Sequence, residues 1–299
     1  MRSPTLVAVL LTLTGGLAAH GATIYVDNVA GDDLLDGGAA VSDAGSGPVR
    51  TIRKALRVVE SGDRIVLANT GEPYRETISL SDRRHSGNAV SPLIVDGQGA
   101  VLEGADPVPA DAWENHRGAV FRFRPPRSSF QRLFLEGKPA VERKLDPAAH
   151  RLPELAPLEW YRRDAHIYFR VEQDKLPEAY PLSYSARQTG ITLYHVHDVL
   201  ITNLVVQGFR LDGVNVNDGV RDCELIDVTS RGNGRSGVTV AGSSKVGLAH
   251  CVLGDNGEAQ LRVEGQSSTA VEASELIANT APAVLRRGGK LVIDGKPSE

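Results

Sequence analysis

The chain has 299 residues, with 33 Lys and Arg against 37 Asp and Glu and a formal net charge of −4. The two signs are interspersed, so there is no basic stripe of the kind a nucleic-acid footprint requires. Gly is abundant at 31 residues and aromatics make up only 5%, a composition that suits short strands and tight corners, arranged as one elongated body or two ordinary domains.

Residues 1–22 begin with Met1-Arg2, continue through an apolar run from Leu6 to Leu17 and end in Ala18-Ala-His-Gly-Ala22. A charged start, a short apolar core and a small-residue end predict a secretory signal peptide cleaved near Ala22. The expected destination is therefore secreted, periplasmic or cell surface. The apolar run is too short to span a bilayer comfortably, and no other stretch is able to, so no membrane span is expected after cleavage.

Residues 23–104 read as an opening unit. Thr23-Ile-Tyr-Val-Asp27 has strand character, and a Gly/Asp/Ala/Ser loop follows to Gly47. A helix is predicted from Pro48 through Val59, with Ile52, Ala55, Leu56 and Val59 on one face and Arg50, Arg53, Lys54 and Arg57 opposite. Its physical task is to cover the exposed end of a stack of strands. Arg64-Ile-Val-Leu67, Thr77-Ile-Ser-Leu80, Pro92-Leu-Ile-Val95 and Ala100-Val-Leu102 continue as early strands. The acidic residues Asp27, Asp32, Asp33 and Asp36 read as a turn cluster rather than a metal site.

This opening unit resembles the N-terminal cap of secreted right-handed parallel β-helix proteins, the pectate-lyase-like superfamily. The residues that carry the resemblance are Ile24-Tyr-Val-Asp27, Gly31-Asp-Asp33, Pro48-Val-Arg-Thr-Ile-Arg-Lys-Ala-Leu56, Gly62-Asp-Arg-Ile-Val66 and Tyr74-Arg-Glu76. The superfamily includes polysaccharide lyases, β-helix glycoside hydrolases and alginate epimerases. The resemblance, spanning residues 23–104 and 186–295, implies a fold more specifically than an activity.

Residues 105–185 break the pattern. They hold Trp113 and Trp160, many prolines and the strand-like runs Ala119–Phe123, Arg132–Leu135 and His166–Val171, with Leu135-Glu-Gly-Lys138 as a hairpin turn. An inserted β-rich subdomain docked on the flank of the solenoid is expected here.

Residues 186–299 carry a repeat. Gly190-Ile-Thr-Leu193, Gly213-Val-Asn-Val216, Gly237-Val-Thr-Val240 and Gln260-Leu-Arg-Val263 start at spacings of 23, 24 and 23 residues. Apolar and polar residues alternate with the period of a strand. A fixed period of this length, with Gly, Asn and Asp at the corners, is the signature of a solenoid. The expected fold is all-β: a right-handed parallel β-helix with an N-terminal capping helix and the inserted β-rich subdomain. Cys223 and Cys251 are expected to stack inward on neighbouring strands about 4.8 Å apart, as buried free thiols or, given an export signal, as a disulfide. The final strand, Arg286–Asp294, has no evident cap.

Register turns this repeat into a list of surface neighbours. One outward ladder is Thr192, Asn215, Thr239 and Arg262; the next is Tyr194, Asn217, Ala241 and Glu264. Such a polar face, with one aromatic, suits a polysaccharide lying along the solenoid, although any half-buried sheet shows polar residues to solvent. At the corners before the strands, Asp212, Arg235 and Glu258 fall on consecutive rungs. Two carboxylates two rungs apart would lie roughly 9–10 Å from one another, near the upper end of the inverting-glycosidase range. The same residues also serve as ordinary turn carboxylates. Asp212-Gly213 resembles part of the polygalacturonase motif, but that family's Asp pair and Gly-His-Gly are missing, so its chemistry is not expected.

The distance from repeat start to Cys is 10 residues at Cys223 and 14 at Cys251, which reads as a lengthened corner carrying Arg231, Asn233 and Arg235. β-Elimination of a uronate needs a base, for which Arg235 and Lys245 are candidates. It also needs the carboxylate neutralised, often by Ca²⁺; Asp218, Asp222 and Asp227 are candidate ligands, and their spacing matches no specific calcium motif. No cofactor is otherwise implied, and the metal content is undetermined. His195 and His197 flank Val196 and are expected on one side of a strand, with no third zinc ligand in view.

The candidates are thus Asp212, Arg235, Glu258 and Lys245 for catalysis and Tyr194, Asn215, Asn217, Arg231, Asn233 and Arg262 for substrate binding. They fit an exported carbohydrate-active protein that acts as a lyase or glycoside hydrolase. The alternative is a non-catalytic glycan-binding or cell-surface structural module. The sequence carries no signal of oligomeric state.

Overall fold

The computed structural model describes residues 21–43, 45–145 and 153–298. The signal-peptide reading of residues 1–22 therefore lies almost wholly outside the described residues.

Sixteen strands hydrogen-bond into one continuous sheet, with parallel pairing between successive turns. Each turn of the chain makes three short straight runs, which stack into three faces. Face one contains Ile78–Ser81, Ile191–Tyr194, Asp212–Val216, Ser236–Val240 and the first half of Ala259–Glu272. Face two stacks Thr23–Val26, Arg64–Leu67, Leu93–Asp96 and the first halves of His197–Gln207 and Arg221–Arg231, then Lys245–Ala249. Face three stacks Val101–Glu103 with the second halves of the same two long strands and with Val252–Gly254. A parallel β-helix results, with the register predicted from the repeat: Ile191, Val214, Val238 and Leu261 pair in sequence.

The core follows from that register. Val214, Val216, Val238, Val240, Leu261 and Val263 point inward and are fully buried, each such side chain contributing about 1.5–3 kcal/mol. Between faces two and three the chain bends at Asn203, Asp227, His250 and Ala273, all at positive φ. Asn and Asp tolerate that left-handed conformation; a β-branched residue would not. Between faces three and one, Asn233 and Asn256 stack inside the corner. Asn233 accepts the Phe209 N–H at 3.0 Å through Oδ1 and donates to Asn256 Oδ1 at 3.0 Å.

That corner corrects the reading of a lengthened loop. Asp212, Ser236 and Ala259 pair directly, so the turns are evenly spaced. The unequal Cys spacing arises because the two thiols occupy different ladders. Cys223 pairs with Val199 and Val246 on face two, whereas Cys251 immediately precedes Val252, the partner of Thr229 on face three. They do not stack on one another. Both are free and buried, and burial pushes each thiol pKa up to about 11.

The helix is shorter than expected, Ile52–Val58, because Thr51 is its N-cap and accepts the Lys54 N–H. Pro48–Arg50 instead stays extended, with Val49 bridging Val26. Glu76 accepts the Ile52 and Arg53 N–H groups at 3.0 and 3.1 Å, completing the cap. Ile52 and Ala55 are buried on the core cluster of the solenoid. At the other end, Val284–Ile293 forms the last rung and folds back into Lys296–Pro297, an antiparallel pair that covers part of its edge. Among the described residues no helix is long and apolar enough to cross a membrane.

The strands between Ala105 and Ser185 form two further sheets of four and five strands. Leu133–Leu135 and Lys138–Pro139 pair as a hairpin through Glu136 and Gly137, both at positive φ, as a primed two-residue turn demands. Trp160, Phe123 and Phe169 are buried in a core of their own. The segment approaches the solenoid at the face-three corner. Arg210 donates from Nη1 to Ser129 Oγ at 2.5 Å, and Arg132 donates from Nη2 to the Asp255 carbonyl at 3.4 Å.

Candidate functional site

Face one carries the polar ladder. Ser79, Thr192, Asn215, Thr239 and Arg262 are paired in register on successive strands. They are not evenly open to solvent. Thr192 and Asn215 are half-buried, but Thr239 and Arg262 are 2% and 5% exposed. The ladder predicted as an outward face is therefore outward at one end and closed at the other.

A charge network lies at the closed end. Asp212 is 0% exposed. It accepts from Arg235 through both oxygens: Nε donates to Oδ1 at 2.9 Å and Nη2 to Oδ2. Asn215 adds a third donor to Oδ2 at 3.2 Å. A buried carboxylate is tolerable only when paired and fully hydrogen-bonded, and this one is. One rung on, the buried Arg262 is held by Ser236 Oγ at 3.2 Å. Its two Nη groups bind two carboxylates, Glu258 Oε2 at 2.5 Å and Glu264 Oε1 at 3.0 Å. Both acids are open to solvent, with side chains 46% and 32% exposed. Among the described residues, Glu258 Oε1 and Glu264 Oε2 have no partner and are free to meet a ligand.

This geometry revises the roles expected of several residues. Asp212 is out of a substrate's reach, because its side chain is sealed and both its oxygens are occupied; it positions Arg235. Its hydrogen bonds raise the Arg235 pKa above the ordinary guanidinium value, so Arg235 is a fixed cation and unsuited to act as a base. The carboxylate pair on this face is Glu258 with Glu264, not Asp212 with Glu258. The ladder reading had placed Glu264 outward, but nothing in the sequence indicated that one arginine would hold it beside Glu258. That arrangement needs residues 258, 262 and 264 on one side of a corner, and the bend is a tertiary feature.

The other candidates are scattered. Lys245 pairs with Ser268 on face two, beside Asp222 and Glu224, and so is not brought to Arg235. Asn233 is 0% exposed and spends its amide inside the corner, which rules it out as a ligand contact. Arg231 is exposed on face three, where Nε donates to Gln207 Oε1 at 2.9 Å, and Gln207 donates in turn to Glu103 Oε2 at 2.8 Å. Tyr194 and Asn217 are exposed at the far end of face one. Tyr194 meets His195 edge-on with ring centroids 4.2 Å apart.

The calcium reading finds no geometric support. Among the described residues no three His, Cys, Asp or Glu side chains converge to hold a metal. Asp218 instead accepts the Ser243 N–H and Oγ–H at 2.8 and 3.0 Å, bonds that lower its pKa. Asp222 and Asp227 sit at separate left-handed bends of one strand. The acidic cluster near the N-terminus organises loops, with Asp27, Asp32 and Asp36 accepting local backbone N–H groups and Asp33 capping Arg50 and Thr51. The His pair is also divided. His195 lies at a left-handed turn, while His197 Nδ1 contacts its neighbour Asp198 at 2.9 Å.

Comparison with known proteins agrees with the architecture. Residues 183–295 match the family described as the right-handed β-helix region. No curated protein matches the chain in sequence. Among solved structures, one titled "Glycoside hydrolase" aligns with a TM-score of 0.61 at 12% identity, over 85% of this chain and 73% of that one. The complex of XylC with xylose aligns at 0.43 and 13%, over 90% and 68%. The GH136 lacto-N-biosidase from Eubacterium ramulus aligns at 0.35 and 10%, over 85% and 43%. At 12% identity the first of these is a likeness of fold alone. The solenoid has the fold of a right-handed parallel β-helix.

Proposed function

We propose that this chain is an exported carbohydrate-active protein that binds a glycan across face one and hydrolyses it with Glu258 and Glu264. The observation that carries the reading is the pair of carboxylates, Glu258 exposed and Glu264 half-buried, held on the buried Arg262, each with one oxygen engaged and one free among the described residues. Half-buried polar groups at Thr192 and Asn215, with Tyr194 at the far end, offer hydroxyl partners and an aromatic edge along the same face.

Hydrolysis asks one carboxyl to protonate the departing glycosidic oxygen and the other, as carboxylate, to activate water or attack the anomeric carbon. The free oxygens of Glu258 and Glu264 are assigned these two roles, with both carboxyls tied to the one Arg262; the acid is the one that carries a proton on its free oxygen. Elimination is disfavoured on this face, because Arg235 is locked to Asp212 and Lys245 stands on another face of the solenoid. The solved glycoside hydrolase that shares the fold supports hydrolysis over elimination as a reading.

The test uses purified protein against pectic, alginate, glycosaminoglycan and xylan substrates, with reducing ends and absorbance near 235 nm scored together. New reducing ends without absorbance are expected, lost by about 10²–10⁴-fold in Glu258→Gln and Glu264→Gln. Absorbance with reducing ends would replace hydrolysis by elimination. Glycan binding without either product would leave the site and remove the reaction. Export is tested separately, by N-terminal sequencing of secreted or periplasmic protein, which should begin near Thr23.

A further inference from the structure

Beside Glu258, the insert and the solenoid corner form a cleft of about 340 Å³. Two glycines permit the approach that forms it. A Cβ on Gly234 would lie 1.8 Å from the Phe130 carbonyl oxygen, and one on Gly257 would lie 1.9 Å from that of Gly234. Any side chain at either position would push the walls apart.

The chemistry of the walls is unbalanced in two ways. The first is charge. Arg132 is paired with Glu142 at 3.5 Å and Arg143 with Glu159 at 2.8 Å. Lys144 and Arg162 also line the cleft, both exposed, and neither has an acidic partner among the described residues. The second is hydrogen bonding. Gln131 is 3% exposed, and among the described residues both the nitrogen and the oxygen of its side-chain amide lack a partner, as does Arg132 Nε. A buried polar group left without a hydrogen-bond partner destabilises the fold. Such a cost is commonly met at a site where a ligand completes the bonds.

An unfilled amide offers one donor edge and one acceptor, which a sugar hydroxyl satisfies. An excess of cations favours a negative substituent, and a planar guanidinium suits a carboxylate or sulfate group. We propose that this cleft is a specificity subsite for an anionic sugar, adjoining the bond-cleaving pair through Glu258. The inference rests on the glycan reading of face one and deepens it by naming the class of sugar beside that site.

The experiment is calorimetric titration of the full exported protein with oligosaccharides of equal length: neutral, uronate-containing and sulfated. Anionic ligands should bind about 10-fold more tightly than neutral ones, with the gap narrowing in high salt. The double variant Lys144→Glu/Arg162→Glu, at exposed positions, should abolish that preference and leave neutral binding intact. The uronate and sulfate arms identify which anion the subsite takes. Gln131→Leu should weaken anionic binding while leaving Tm unchanged or raised, because it removes an unpaired buried amide; a purely structural Gln131 would lower Tm instead. Equal affinity for neutral and anionic sugars, or a preference that survives the double variant, overturns the subsite and leaves the face-one reading standing. Failure of every oligosaccharide to bind overturns both.

Discussion

The Asp212–Arg235 pair makes an asymmetric prediction. Asp212 is 0% exposed, whereas the Arg235 side chain keeps 24% of its surface in solvent. Arg235→Gln strands a fully buried carboxylate with Asn215 as its one side-chain donor, 3.2 Å away. Removing one partner of a buried pair in this way costs about 3–5 kcal/mol. Asp212→Asn leaves the opposite orphan, a guanidinium that retains solvent contact, and the expected cost falls to about 1–3 kcal/mol. The double variant replaces the ion pair by two amides and should recover at least about 2 kcal/mol of the Arg235→Gln loss, because it removes the uncompensated charge. For a body of this size, 3–5 kcal/mol corresponds to roughly 6–20 °C in Tm. Far-UV circular dichroism reports the solenoid, while fluorescence of Trp113 and Trp160 reports the insert, since both tryptophans lie there. The dichroism transition should shift in the order Arg235→Gln, Asp212→Asn, wild type. A smaller loss for Arg235→Gln than for Asp212→Asn would refute the argument from unequal burial.

Asn233→Ala should destabilise by about 2–4 kcal/mol, because it leaves the Phe209 N–H unpaired and cuts the corner stack; chemical denaturation measures it. Thiol titration of native protein should find Cys223 and Cys251 unreactive at pH 8 and two free thiols after unfolding, as their buried positions and raised pKa require. The sign of the linkage is equally definite. The folded thiols keep their protons between 9.0 and about 11 while the unfolded ones lose them, so stability is full below pH 9 and falls as pH rises toward 11. Lys245→Ala, on face two, should leave glycan turnover and affinity within about 2-fold of wild type, since it makes no contact with the face-one network; a loss comparable to that of Glu258→Gln would return the chemistry to the elimination reading.

Much of the architecture was legible because it is periodic. An inward-facing apolar residue at every second position, restarted at Gly190, Gly213, Gly237 and Gln260, leaves a parallel stack as the one arrangement that buries them all, and it sets the register to the residue. The same periodicity placed Thr192, Asn215, Thr239 and Arg262 in one row. Burial along that row was decided elsewhere. Whether a polar side chain at a corner points out, like Glu258, or in, like Asn233, depends on how the backbone turns and on what packs over it. Spacing does not encode the bend that puts Lys245 on a different face from Arg235. Nor does it encode the left-handed bend at His250 that sends Cys251 into a different ladder from Cys223. The partners are likewise remote in the chain: Arg235 finds Asp212 one turn back, and the Gln131 cleft joins residues of the insert to a solenoid corner. Sequence alone determined the solenoid and its register, because both are set by local period and inward burial. Only the tertiary structure decided the geometry of the candidate site, because its charges are placed by corners and by an insert whose contacts no repeat predicts.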